Sequence, residues 1–129
     1  MQRKILVSTL ALAFAAVVGF SAKITLAADD HEVIEHAMKT FHKAPEGTDP
    51  TCKKIINGTA SDTDLADIIK AYQAMCGSKP PKGEVGPWQE KCKALVAAVK
   101  SIQAKDATGV ATYKAAVNCK ACHKDHKPD

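Results

Sequence analysis

The stretch Cys119-Lys120-Ala121-Cys122-His123 constrains this chain more than any other. On a helix, positions 119, 122 and 123 fall at i, i+3 and i+4, so two thiols and one imidazole project from a single face. Two thiols at this spacing followed directly by His suit one chemistry: each sulfur adds to a vinyl group along one edge of a porphyrin, and the imidazole reaches its iron. The competing readings ask for more. A structural zinc site would need about four N/S ligands, commonly two CxxC-type pairs, and the chain has no second pair. A thioredoxin-like dithiol wants a strand before it and a helix N-terminus beneath it, whereas this motif closes a helical stretch. The motif therefore predicts one covalently held haem c.

The first residues have a different character. Met1-Gln2-Arg3-Lys4 is a basic start, Ile5 to Ala22 is a mostly apolar run, and Thr25-Leu26-Ala27 places small residues where a signal peptidase cuts. A retained anchor is the competing view, since an apolar run of this length approaches what a bilayer crossing requires. The Thr-Leu-Ala-Ala ending and the acidic Asp29-Asp30 beyond it favour cleavage. Residues 1-27 are thus expected to be a cleaved secretory signal and 28-129 one domain, exported to the periplasm and free of the membrane after cleavage. Arg3, Lys4 and Lys23 leave with the leader, which takes 18 basic residues to 15 against 14 acidic ones. A domain so nearly neutral carries no argument for nucleic acid. Lys120, Lys124 and Lys127, beside the motif, suit steering of an acidic redox partner.

Apolar residues recur with helical period along the rest of the chain. Asp29 to Lys43 carries Ile34, Met38 and Phe41 on one stripe and stops at Ala44-Pro45-Glu46-Gly47. Asp49 to Asn57 reads as a short helical piece. Ser61 and Asp64 form a capping-box pattern that opens a helix bearing Leu65, Ile68, Ile69 and Tyr72 and ending at Gly77. After a Pro- and Gly-rich loop, Pro87 begins a helix reaching about Lys105, with Trp88, Cys92, Leu95, Val96, Val99 and Ile102 inward. Asp106 is the expected N-cap of a fourth helix running unbroken through Tyr113 and the motif to Lys127-Pro128. No stretch alternates with period two. The expected fold is all-α, an antiparallel four-helix bundle with the haem held between helices near one end. Ala115, Ala116 and Ala121 are small enough for a flat ring to lie close, and Phe41, Trp88 and Tyr113 are candidate pocket walls.

A four-helix domain of this size, with a single CxxCH near its C-terminus and Lys127 four residues after the motif histidine, resembles the class II c-type cytochromes, the cytochrome c′ family. The family's usual Arg in the first helix has no counterpart, because residues 28-129 contain none. The resemblance implies Cys119 and Cys122 as thioether anchors and His123 as the proximal iron ligand. It also implies that function turns on the opposite, distal face. Five-coordinate members leave iron open to diatomic gases such as NO and CO; low-spin members ligate it with a Met from the first helix. Val33-Ile34-Glu35-His36-Ala37-Met38-Lys39 resembles that segment of the low-spin members and puts Met38 at the ligand position, with His42, one turn later, as the alternative. The expected role is a single-electron carrier between redox partner proteins; the alternative is a gas-binding protein in which Met38 only packs. A homodimer is open, since many relatives pair. No nucleophile and base constellation argues for an enzyme. Cys52, Cys76 and Cys92 remain as buried thiols or as one disulfide, Cys76 with Cys92 or Cys52 with Cys92.

Overall fold

The computed structural model describes residues 28–129; the expected leader lies outside the described residues. Within them the chain is all-α: α1 (Asp30–Phe41), α2 (Thr51–Asn57), α3 (Asp62–Gly77), α4 (Val85–Gln103), α5 (Gly109–Ala116) and α6 (Cys119–His126), with no strand. None of these helices is long and apolar enough to cross a membrane.

The best-specified helix is α3, because its start is fixed at both ends of a reciprocal cap. The Asp64 amide donates to Ser61 Oγ (3.0 Å), and the Ser61 amide donates back to Asp64 Oδ2 (2.9 Å), which satisfies donors that the first turn otherwise leaves orphaned. The face that follows, Leu65, Ile68, Ile69, Tyr72 and Met75, is buried and packs against α1 and α4. Burying a side chain such as Ile68, which is 0 % exposed, contributes about 1.5–3 kcal/mol relative to leaving it in water. From α4, Trp88, Cys92, Ala98 and Val99 complete this core. The Trp88 indole N–H is shared between the Met75 and Ser78 carbonyls, 3.0 Å from each, which fastens the start of α4 to the end of α3. Helix α4 begins two residues before Pro87, whose missing N–H is harmless within the first turn.

The C-terminal region departs from expectation. The single helix expected from Asp106 to Lys127 is two helices, α5 and α6, broken at Val117 and Asn118. Asn118 leaves helical geometry (φ −82°, ψ 86°) and its side chain accepts from the Ala121 amide at 3.0 Å, so it ends one helix and caps the next. Asp106 does not cap α5 directly. Its carboxylate accepts from the Thr108 amide and hydroxyl, both at 2.8 Å, an Asx turn that aims the chain into α5. At Gly109, the first residue of α5, a Cβ would sit 2.9 Å from the Ile102 backbone nitrogen; only glycine lets α5 start this close to the end of α4.

Helix α6 is held down by its last residue. His126 is 3 % exposed, not solvent-facing as its place near the terminus suggests. Its Nδ1–H donates to the Lys82 carbonyl (3.1 Å), and its ring meets Trp88 edge-on at 5.3 Å. Gly83 completes the contact: φ is +81°, and an added Cβ would come within 2.6 Å of the Asp125 carbonyl oxygen. Across the same joint Lys91 of α4 pairs with Asp125 of α6 at 2.7 Å.

Candidate cofactor cavity

Between α1, α4, α5 and α6 lies a cavity of about 480 Å³, within the ~300–1,000 Å³ typical of small-molecule and cofactor sites. The motif survives the helix break because all of it lies in the first turns of α6, and Cys119, Cys122 and His123 all border the cavity. Met38 from α1 borders it too, as does His42, the residue closing α1. Every residue that the sequence singled out as a ligand or anchor therefore meets at one place. The wall between them is apolar and low: Ala94 and Leu95 from α4, Ala115 and Ala116 from α5, Val117 at the break and Ala121 in α6. Lys43 and Lys91 are the cations on its border.

Some expectations fail here. Phe41, Trp88 and Tyr113 do not line the cavity: Trp88 is consumed by the α3 to α4 joint, Tyr113 is buried in the core, and Phe41 packs partly buried against that core. His42, the alternative ligand, is part-buried at the cavity's edge. Its Nε2 lies 3.0 Å from the Tyr72 hydroxyl, which in turn lies 2.8 Å from the Tyr113 hydroxyl. Burial, helped by the nearby His123, pushes the His42 pKa down to about 4, so the ring is neutral at neutral pH. His31 and His36 are exposed on α1, off the buried stripe.

Sequence reasoning missed Tyr72 as a site-supporting residue, and it missed Met75, Cys52 and Lys91 as cavity residues. Tyr72 carried a signal of its own: a Tyr on a fully apolar helix face needs a partner for its hydroxyl. All five cysteines are free thiols. Burial raises the Cys122 and Cys52 thiols above the ordinary range and raises Cys92 furthest. Cys76 and Cys92 are near enough to perturb each other's ionisation. Among the described residues no three His, Cys, Asp or Glu side chains converge as a metal site. Compared with protein-family models, with curated proteins and with solved structures, the chain matches none.

Proposed function

We propose that the chain is an exported, periplasmic carrier of single electrons that holds one haem c in this cavity, in an antiparallel four-helix bundle of the class II c-type cytochrome kind. Cys119 and Cys122 are the thioether anchors, His123 the proximal ligand and Met38 the distal ligand. The observation that carries the reading is the convergence of these four side chains, from α1 and α6, on one apolar cavity. Nothing in their sequence separation requires Met38 to meet the motif.

The rest of the cavity suits the same group. Ala115, Ala116 and Ala121 allow a planar ring to approach the α5 and α6 backbones, and Leu95, Met75 and Val117 exclude water from its faces. Lys43 offers positive charge to the ring's carboxylates, the task that falls to Lys in a domain without Arg, while Lys91 is held by Asp125. When bound, the haem supplies a one-electron iron couple, and a Met/His ligand pair raises its potential. The chain's own contribution is to fix both ligands on packed helices. Small rearrangement on electron gain or loss keeps exchange fast. Lys120, Lys124 and Lys127, all exposed, lie beside the motif, where an acidic partner protein would dock.

The optical spectrum of the ferrous protein, recorded before and after adding carbon monoxide, tests this reading. Wild type gives sharp, split low-spin bands that carbon monoxide barely alters, and Met38→Ala gives a spectrum that shifts at once. A wild-type spectrum that is high-spin and shifts on mixing contradicts the carrier and points instead to an open, gas-binding site.

A further inference from the structure

Two side chains one turn apart at the end of α1, Met38 and the closing residue His42 at i and i+4, border the same cavity, and under the haem reading they compete for one distal position. Imidazole nitrogen is the stronger donor to ferric iron, so in an unconstrained competition His42 prevails over a thioether. Something must withhold it if Met38 is the ligand.

Hydrogen-bond bookkeeping supplies that restraint. Tyr72 and Tyr113 are both 0 % exposed, and buried hydroxyls need acceptors for their protons. Among the described residues Tyr113 has one hydrogen-bond partner, the Tyr72 oxygen at 2.8 Å. The Tyr113 proton therefore goes to Tyr72. The Tyr72 proton is then directed to His42 Nε2 at 3.0 Å. The reverse chain, with His42 donating to Tyr72 and Tyr72 to Tyr113, would strand the Tyr113 proton in the core, at a cost of about 1–3 kcal/mol. With Nε2 accepting, the neutral ring carries its own proton on Nδ1. Neither nitrogen then offers a free lone pair.

We infer that Tyr72, backed by Tyr113, is a positioning residue that keeps His42 from the iron and leaves the distal position to Met38. The inference rests on the haem reading above and adds to it the residue that decides between two competing ligands.

Ligand exchange in the haem-loaded protein tests it. Tyr72→Phe frees Nε2 without changing the ring that fills the core. The ferric protein then loses the long-wavelength charge-transfer band of thioether ligation, gains a bis-imidazole spectrum and falls in reduction potential. Tyr72→Phe combined with His42→Ala regains the thioether band. Tyr113→Phe, which leaves the Tyr72 donor in place, keeps it throughout. A Tyr72→Phe protein with the wild-type spectrum and potential overturns the inference, as does a loss of the band that persists in the double variant. Long-range nitrogen–proton NMR of ferrous wild type gives a reading that needs no variant to fold: His42 shows the Nδ1–H tautomer, and an Nε2–H tautomer or an iron-bound nitrogen overturns the inference. Failure of the haem reading looks different, since a wild-type protein without haem shows no ligand spectrum at all, and its His42 tautomer still reports on Tyr72.

Discussion

At the scale of single residues, His42 shows how far surroundings override position. A histidine at a helix end beside a lysine reads in sequence as solvated, because neither its spacing from Met38 nor its neighbours reveal that Tyr72, thirty positions later in the chain, will cover it. Met38 was legible, since a stripe with Ile34 and Phe41 fixes which way it points, and so were Cys119, Cys122 and His123, whose grouping is local. Burial and the nearby His123 hold the folded pKa of His42 near 4, below the free value of 6.5. The unfolded chain therefore binds the extra proton first as pH falls. Stability is fully present above pH 6.5 and is lost progressively as pH drops through 4, by roughly 3 kcal/mol at about 1.4 kcal/mol per unit of pKa difference. Urea melts of wild type and His42→Gln across this range check the point: the wild-type midpoint falls steeply between pH 6.5 and 4, and the variant's curve is flatter. Parallel curves would contradict it.

At the scale of elements, the helices with strong local signals formed where the residues said they would. The capping box of Ser61 and Asp64 set the start of α3, and the apolar stripe of α4 set its buried side. The break before α6 was harder to see, because Val117 continues the apolar pattern of α5 and masks the cap residue that follows it. Asn118 was the available clue, a side chain that prefers N-caps to helix interiors, standing one position before the motif. Its role predicts a modest cost: Asn118→Ala removes the acceptor for the Ala121 amide and lowers stability by about 1 kcal/mol. Gly109→Ala is expected to cost more, about 1–3 kcal/mol, because its new methyl meets the Ile102 backbone as well as its Cγ1, and the backbone cannot move aside as a side chain can. Thermal melts of the two variants check this order. Equal stabilities for wild type and Gly109→Ala would show that α5 does not need its close approach to α4.

At the scale of the whole molecule, the all-α class followed from apolar periodicity alone, and the cavity followed from the way α1, α4, α5 and α6 converge. The walls were not legible, since Trp88 and Tyr113 spend their rings on joints and core that only the packed structure reveals. What remains is a domain with a cavity of about 480 Å³ bordered by two thiols, imidazole and a thioether. The most direct test is the mass and colour of the protein purified from a bacterium able to attach haem to exported chains. The account predicts red protein whose intact mass exceeds that of the processed polypeptide by one haem, with the increment lost when both Cys119 and Cys122 are replaced by Ser. Colourless protein at the mass of bare polypeptide would contradict it.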